Sequence, residues 1–543
     1  LTGDDNIGIG VGAGLSNTSG ACNIAIGKSA LNSGTTGCRN IAIGEVAMGA
    51  ASVTGSDNVA IGRASMDALT SGACNIALGE NALGASTDGC FNIAIGKSAL
   101  AASADDGDNN IAIGNTAMGA GDVSGNSNVA IGNLTMDALT SGIDNVAIGT
   151  NALGAATTGN NNIALGPSAL GGATTTGTDN IAMGSNAADA LTSGGYNIAM
   201  GVNALGAAET GNNNIAIGQL AIGTGVASGG DNIGIGRAAG RCITSGTCNI
   251  SIGQGSMHGT TSITGNANIA IGKEALDAVT SGHCNIALGA SALGQATTGI
   301  YNIALGEFAL GCAAVVGNAN VGVGAGTGED MTSGACNVAI GFRALRKATT
   351  GTKNIALGQS ALGCAALTGA DNIGIGETAG ADITSGACNV ALGYSALANA
   401  TDNCDNVAIG KYALLSTDGD GDNNVSIGTC SMAGGDVSGA HNIGMGYNSL
   451  RNLTTGSCNI AIGPETRCAA TIGNHNIAMG YYAMASITTG QADNNIAIGR
   501  QAMVGSGSTT GDHNVGVGTC ASCAITTGSC ATAIGYRAGR DVS

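Results

Sequence analysis

A five-residue segment, Asn-Ile-Ala-Ile-Gly or a close variant, recurs along the whole chain and constrains the fold more than any other feature. It starts at Asn6, Asn23 and Asn40 and continues to Asn514 and a degenerate copy at Ala531, which makes 31 copies. Successive copies start at a nearly constant spacing, as the positions of Asn6, Asn23 and Asn40 show. A short fixed period predicts a repeat architecture, in which units too small to bury themselves stack on their neighbours.

The pentad itself indicates β-structure. In one copy Ile163 and Leu165 alternate with Ala164 and Gly166, which is the period of two expected of a strand. A helix is disfavoured because 97 of the 543 residues are glycine, and an interior helical glycine costs about 1 kcal/mol. We therefore predict an all-β parallel β-solenoid that forms one continuous repeat domain over residues 1–543, with repeats from 6 to 535.

The two faces of the pentad differ in side-chain size. The second and fourth residues are Ile, Val, Leu or Met in nearly every copy, and we predict that they fill the inside of the coil. The third residue is Ala, Gly or Ser and the fifth is Gly in every copy. Because an exposed sheet face normally carries Thr, Lys or Glu, we interpret the small face as one against which another backbone packs. The alternative is that Ala and Gly fill a narrow coil interior. The small face includes Ala25, Gly27, Ala42, Gly44, Ala77 and Gly79.

The Asn that opens the pentad has the same parity as the small face. Stacked once per coil, its amides are expected to form a hydrogen-bonded ladder, as identical Asn side chains do in parallel in-register stacks. The predicted ladder begins with Asn23, Asn40, Asn58, Asn75 and Asn92.

Runs such as Asn-Ile-Ala-Ile-Gly-x-x-Ala-Leu-x-x-x-Thr-Thr-Gly resemble the YadA-like head repeats of trimeric autotransporter adhesins. They also resemble the Asn-x-Ala-Ile-Gly repeats of phage and virus tail-fibre proteins. The resemblance covers Asn6 to Gly535. It implies a left-handed β-roll whose three chains pack around one axis, and work in adhesion or host attachment.

A second, longer period in the sequence suggests an alternative to the homotrimer. Three consecutive units of slightly different length recur together as a 52-residue triplet. A symmetric trimer does not require such a triplet, whereas a single chain whose triplet forms one turn with three equivalent faces would explain it. Exposed terminal strands would also permit end-to-end polymerisation. The sequence leaves these three assemblies open.

The 18 cysteines predict a disulfide framework and hence an oxidising, extracellular setting. Several candidate mates recur at the same spacing along the chain, and others are local. The candidate pairs are Cys22 with Cys38, Cys74 with Cys90, Cys388 with Cys404, Cys284 with Cys312, Cys336 with Cys364, Cys242 with Cys248, Cys458 with Cys468, and Cys523 with Cys530. Cys430 and Cys520 remain, either free or linking chains. The alternative is that Cys serves as a small apolar residue.

Composition excludes several classes of function. A net charge of −18 argues against nucleic acid as a partner. No apolar stretch is long enough to span a bilayer. No Ser, His, Asp or Lys stands outside the repeat as a nucleophile with its base, so we predict no catalytic, cofactor or metal site. The chain begins at Leu1 rather than Met, and we expect a processed product or a fragment.

We predict a non-enzymatic, extracellular or virion-surface fibre shaft that holds receptor- or glycan-binding surfaces at a distance. Variable residues after the pentad Gly, such as Lys28, Arg63, Phe342 and Tyr447, are the candidate recognition surface. An alternative is ice binding by rows of Thr such as Thr157 and Thr158, although turn formation accounts for them more simply.

Overall fold

A computed structural model describes residues 3–103, 107–224, 228–417, 421–486, 492–505, 511–523 and 528–539. The chain forms two compact units, Leu1–Lys273 and Glu274–Ser543. Each unit is a parallel β-solenoid built from the same coil, which runs from one pentad Asn to the residue before the next. The predicted fold class is confirmed, and the repeat that predicted one domain continues through both units.

In its described residues, the first unit contributes sixteen strands, each formed by the middle three residues of a pentad. They are β1 (Ile7–Ile9), β2 (Ile24–Ile26), β3 (Ile41–Ile43), β4 (Val59–Ile61), β5 (Ile76–Leu78), β6 (Ile93–Ile95), β7 (Ile111–Ile113), β8 (Val129–Ile131), β9 (Val146–Ile148), β10 (Ile163–Leu165), β11 (Ile181–Met183), β12 (Ile198–Met200), β13 (Ile215–Ile217), β14 (Ile233–Ile235), β15 (Ile250–Ile252) and β16 (Ile269–Ile271).

The part of the second unit that the structure describes contributes fifteen such strands and two short extra strands that pair with each other. The strands are β17 (Ile286–Leu288), β18 (Ile303–Leu305), β19 (Val321–Val323), β20 (Val338–Ile340), β21 (Ile355–Leu357), β22 (Ile373–Ile375), β23 (Val390–Leu392), the short β24 (Asn399–Ala400), β25 (Val407–Ile409), the short β26 (Ser416–Thr417), β27 (Val425–Ile427), β28 (Ile443–Met445), β29 (Ile460–Ile462), β30 (Ile477–Met479), β31 (Ile496–Ile498), β32 (Val515–Val517) and β33 (Thr532–Ile534).

Within each unit, a pentad strand pairs in parallel with the pentad strand of the next coil. Ile24 lies opposite Ile41, and the neighbouring Ala25 lies opposite Ala42. One coil therefore carries one pentad strand and corresponds to one repeat of the sequence. The predicted alternative, in which one triplet forms one turn with three equivalent faces, is wrong. Consecutive pentads are stacked neighbours and not successive sides of one turn.

The 52-residue triplet instead follows the packing of side chains along the stack. At the turn before the next pentad, three successive coils bury Leu139, Ala156 and Thr175, and the following triplet begins again with Leu191 and Ala208. All five are 0% exposed. A large, a small and an intermediate side chain thus alternate, which lets neighbouring layers fill the interior without voids.

The predicted inner and outer faces of the strand are reversed in the structure. The small third residue of the pentad points into the coil: Ala25 is 2% exposed and Ala42 is 0% exposed. The flanking Ile, Val, Leu and Met side chains point outward and are half-buried or exposed. The alternative interpretation, a narrow interior filled by Ala and Gly, describes the chain correctly.

The narrow interior has a direct cause in the apolar Ala-Leu segment of the preceding coil, which packs against the strand. A Cβ placed on Gly234, a third-position glycine, would lie 2.8 Å from Ile222 Cγ1. At Gly374 the same atom would lie 2.8 Å from Leu362 Cγ. The Ala-Leu segment thus fills the space opposite the strand, and no room remains for a large side chain there.

The Gly that ends the pentad does meet another backbone, but that backbone belongs to the next coil of the same chain. Gly27 has a φ of +132°, and a Cβ there would lie 2.4 Å from the carbonyl oxygen of Gly44. Both the backbone conformation and the close approach require glycine. The small face, including Gly44, Ala77 and Gly79, is therefore sealed by the solenoid itself and not by a neighbouring chain.

The Ala-Leu segment after the pentad connects each coil to both of its neighbours. Ser29 and Leu31 have φ values of +56° and +47°, on either side of Ala30. The Ser29 N–H bonds to the Val11 carbonyl in the preceding coil, whereas the Leu31 N–H bonds to the Ala47 carbonyl in the following one. Left-handed backbone at non-glycine residues costs energy, so this conformation depends on stacking.

Candidate functional site

The outward face of the pentad strands is the most extensive feature available for function. Ile61, Ile148 and Leu392 are 39%, 42% and 40% exposed, and most of their equivalents are similar or somewhat less exposed, whereas Ile9 and Ile534 in the terminal coils are more exposed. Two such side chains per coil expose on the order of 1,000 Å² of apolar surface in each unit, more than the roughly 300–600 Å² typical of the largest patch on a monomer. We call these two columns of side chains the outward rows.

The outward rows carry almost no polar residue, and none of their members is charged. The second and fourth pentad positions are Ile, Val, Leu or Met throughout, except for Thr532 in the last copy. Charged and turn-forming residues occur instead at other places in each coil. A solvated sheet face normally carries charged side chains, so these uncharged, partly exposed rows are unusual for a surface in contact with water.

The pentad Asn side chains are buried and join successive coils. The Asn40 Nδ2 donates to the Gly55 carbonyl at 2.9 Å, and its Oδ1 accepts from the Asn58 N–H at 3.0 Å. Asn23, Asn75 and Asn92 make the same two kinds of bond: Nδ2 donates to a glycine carbonyl near the end of the same coil, and Oδ1 accepts from the next pentad Asn N–H. Direct amide-to-amide bonds occur at some steps, such as Asn75 Nδ2 to Asn58 Oδ1 at 3.0 Å. The ladder is thus mainly a side-chain-to-backbone ladder.

Threonine hydroxyls near the Thr-Gly turns bond to the next coil rather than facing outward unengaged. The Thr70 Oγ1 donates to the Thr87 carbonyl at 2.8 Å, and the Thr140 Oγ1 donates to the Thr157 carbonyl at 2.9 Å. The same contact joins Thr454 to the Thr471 carbonyl. These bonds give the threonines a structural role in holding coils together.

All eighteen cysteines are present as thiols rather than disulfides in the structure. The predicted disulfides are therefore not formed in the structure, and the cysteines no longer support an oxidising, extracellular setting. Cys22 and Cys38 lie on neighbouring coils, but Cys38 Sγ accepts from the Ala21 N–H at 3.4 Å. Cys90 and Cys404 use their sulfurs in the same way, with the Ala73 and Ala387 N–H groups.

The remaining predicted pairs fail because their members occupy different places in the coil. Cys284, Cys336, Cys458 and Cys530 directly precede a pentad, as do Cys74, Cys248 and Cys388. The proposed mates of Cys284, Cys336, Cys458, Cys530 and Cys248 lie instead in the segment after the Ala-Leu pair; they are Cys312, Cys364, Cys468, Cys523 and Cys242, respectively. Cys312 Sγ donates to Glu329 Oε1 at 3.2 Å, and burial together with this carboxylate raises the pKa of the Cys312 thiol to about 11. Cys430 and Cys520 are half-buried, and their interchain link stays a prediction.

The residues directly after the pentad Gly form a column of ion pairs in the first unit. Lys28 Nζ lies 3.3 Å from Glu45 Oε1, Arg63 pairs with Glu80, and Lys97 Nζ lies 3.5 Å from the same Glu80. These side chains are largely exposed, so each pair contributes at most about 1 kcal/mol. Two predicted recognition residues, Lys28 and Arg63, thus belong to a charge ladder.

The same column and the residue after it carry most of the aromatic side chains in the second unit. The Arg343 guanidinium lies 4.8 Å from the ring centre of Phe342, and Lys411 lies within 5.5 Å of the rings of both Tyr394 and Tyr412. Tyr447 is 54% exposed. The second unit therefore presents aromatic rings and cations where the first presents ion pairs.

One coil of the second unit buries a guanidinium in its core. Arg467 is 2% exposed, and burial lowers its pKa to about 10. It donates to Asn459 Oδ1 at 2.5 Å and to the carbonyls of Ile472 and Gly473 at 3.0 and 3.2 Å. None of these three partners carries a charge.

Replacing Arg467 by leucine is expected to stabilise the second unit by about 1–4 kcal/mol, because a buried charge without a charged contact is replaced by an apolar side chain. Leu450 and Met484 occupy the same place in the flanking coils, so the interior accepts this shape. Chemical denaturation measures the change. Arg451→Leu, at an exposed position of the preceding coil, should change stability by less than about 0.5 kcal/mol. A destabilised Arg467→Leu would mean that the guanidinium hydrogen bonds outweigh the cost of its burial.

The fold and its outward rows define a β-solenoid repeat protein. No protein-family model and no curated protein matches the chain. In the described part of the chain, no helix is long and apolar enough to cross a bilayer. Across those same residues, no group of three His, Cys, Asp or Glu side chains converges as a metal site would require.

Proposed function

We propose that this protein is a structural, non-enzymatic fibre shaft, displayed outside a cell or on a virion, whose outward rows are sealed against further copies of the same chain. The uncharged outward rows, repeated in coil after coil, are the observation that carries this proposal. Closed assembly of three chains is the state that the resemblance to adhesin heads and tail fibres implies.

A second copy of the chain suits these rows better than an unrelated partner does. Neighbouring strands are about 4.8 Å apart in any parallel stack, so two copies of one solenoid match each other coil for coil. The apolar area of each unit also reaches the size class of stable interfaces. The net charge of −18 would oppose association, but the outward rows themselves contribute none of it.

Stacked coils suit a shaft because each coil bonds to the next in three ways. Strand pairing, the Asn Oδ1 bonds of the ladder and the Thr hydroxyl bonds all run between consecutive coils. The hydroxyls of Thr70, Thr140 and Thr454 are engaged within the solenoid, so these threonines give no separate support to ice binding. The shaft would hold variable side chains, such as those after the pentad Gly, away from its point of attachment.

Sedimentation equilibrium of the full chain tests the assembly. We expect a mass three times the 51.7 kDa of one chain. Two charges placed on the outward rows of adjacent coils, Ile131→Lys with Ile148→Lys, should weaken association at least tenfold, because the lysines would be buried unpaired at the interface. Species larger than a trimer would instead favour an end-to-end filament.

The matched control places the same two charges elsewhere on the same two coils. Asn133→Lys with Thr150→Lys changes exposed residues directly after the pentad Gly, where Lys28 and Lys97 occur in other coils. This control should assemble like the wild type. A wild-type protein that stays monomeric at all concentrations, or an outward-row variant that assembles normally, contradicts the proposal.

A further inference from the structure

Two adjoining cavities on the second unit share one aromatic side chain, Phe308. Their volumes are about 280 Å³ and 210 Å³. The larger is lined by Glu274, Asp277, Ser291, Gln295, Phe308 and Cys312, together with Gly294 and Gly311. The smaller is lined by Glu307, Phe308, Gly326, Glu329, Phe342 and Arg343, together with Ala325. Phe308 therefore contributes to the lining of both cavities.

The smaller cavity exists because the coil between two aromatic side chains carries small residues. Phe308 and Phe342 lie two coils apart, which is about 10 Å in a parallel stack. The intervening coil has Ala325 and Gly326 where others carry longer side chains such as Lys97. A Cβ on Gly326 would lie 3.5 Å from both Arg343 Cγ and Glu329 Oε2.

The backbone holds this site rigidly. The Phe308 N–H bonds to the Ala290 carbonyl at 3.0 Å, and the Gly326 N–H bonds to the Glu307 carbonyl at 2.9 Å. The Arg343 N–H continues the series to the Ala325 carbonyl at 3.0 Å. The rings remain accessible, since Phe308 is 42% exposed and Phe342 is 49% exposed. The cavities are thus preformed.

The polar groups around Phe308 are mainly carboxylates. Glu329 receives a hydrogen bond from Arg346 Nε at 2.9 Å and one from Cys312 Sγ at 3.2 Å. Burial alone would raise the pKa of Glu329, but these two hydrogen bonds, together with the positive charges of Arg346 and Arg343, hold the pKa below its usual value. Glu307 lines the smaller cavity, and Gln295 adds an amide to the larger one.

We propose that the two cavities bind consecutive pyranose units of a neutral or amino-bearing oligosaccharide. A pyranose has an apolar C–H face that stacks on an aromatic ring and a rim of hydroxyls that bond to carboxylates and amides. Phe308 offers a ring to both cavities, and each volume is of the size that one sugar ring fills. The excess of carboxylates over the single lining cation, Arg343, disfavours sialic or uronic acids.

This inference goes beyond the shaft by naming a ligand and a place for it. None of the lining residues belongs to the outward rows. Isolated exposed aromatic residues need no special explanation. Phe308 differs because a concave surface with convergent polar groups lies on each side of it, which is the usual form of a small-molecule site.

Isothermal titration of the full chain tests the proposal with the tetramer of N-acetylglucosamine and its deacetylated form. We expect saturable binding of both, and at least tenfold weaker binding of sialyllactose. Phe308→Ala should weaken binding of both tetramers at least tenfold, because it removes a wall of each cavity. Ala325→Lys should have a similar effect by filling the smaller cavity, and Lys28 and Lys97 at equivalent places indicate that the coil tolerates lysine.

Phe91→Ala is the matched control, since Phe91 is 59% exposed but lies in the first unit, directly before a pentad. It should bind like the wild type, and circular dichroism should show all three variants folded. If neither tetramer binds saturably, the proposal is overturned. Unchanged affinity in both Phe308→Ala and Ala325→Lys overturns it as well, and either result leaves the sedimentation test of the shaft unaffected.

Discussion

Replacing Gly201 by alanine is expected to destabilise the first unit by roughly 3 kcal/mol or more. Gly201 ends a pentad with a φ of +131°, in a region of backbone space that side chains rarely adopt. Its new Cβ would also lie 2.7 Å from the carbonyl carbon of Gly218 in the next coil. The two coils would have to separate, which weakens the bond from the Gly218 N–H to the Met200 carbonyl.

Denaturant titration and hydrogen exchange measure this effect together, because a solenoid can open locally before it unfolds completely. Gly206→Ala in the same coil is the control. Gly206 does not have a positive φ, its Cβ would meet its nearest neighbour at 3.2 Å, and another coil carries Ala101 at the equivalent place. It should change stability by less than about 0.5 kcal/mol. Equal effects of the two substitutions would show that the close approach between coils does not matter.

Replacing Asn110 by alanine is expected to cost about 2–5 kcal/mol, because it leaves buried backbone groups without partners. The Asn110 Nδ2 donates to the Gly125 carbonyl at 2.9 Å, and its Oδ1 accepts from the Asn128 N–H at 2.9 Å. Asn110 is 0% exposed, so water cannot readily replace these bonds. The exchange rate of the Asn128 amide should rise most.

Asn115→Ala provides the comparison within the same coil. Asn115 is exposed, and its amide donates to the Asn133 side chain at 3.1 Å. Both of those groups remain accessible to water, so the expected change is below about 0.5 kcal/mol. If Asn110→Ala were no more harmful than Asn115→Ala, the buried ladder would contribute little to the stack.

Sequence reasoning located the strands well because the pentad is short, regular and repeated. The predicted alternation of Ile163 and Leu165 with Ala164 describes strand β10 as the structure has it. The prediction of which strand face points into the coil was wrong. Alternation along a strand separates two faces but does not say which of them lies inside. The opposing segment, such as Ile222 across from Gly234, decides that, and its position depends on how the coil closes.

The cysteine spacings misled for a related reason. The separation between Cys22 and Cys38 does place them on neighbouring coils, as the repeat length requires. It also leaves them one residue out of register, and the sulfur of Cys38 accepts from the Ala21 N–H. The sequence did not predict the cavities around Phe308. Side chains from several different coils line them, so no single repeat reveals them.

The sequence by itself determined that this chain is a β-solenoid of stacked repeats, because a short, nearly constant period and an invariant Gly permit little else. The pairing of consecutive pentads in the structure decided that each coil carries one of them. The sequence also determined that one strand face is small and the other large. Only the tertiary structure decided that the large face points outward, because the closing Ala-Leu segment occupies the interior and leaves space for small side chains alone. That exclusion places the Ile rows on the surface, where the proposed assembly requires them.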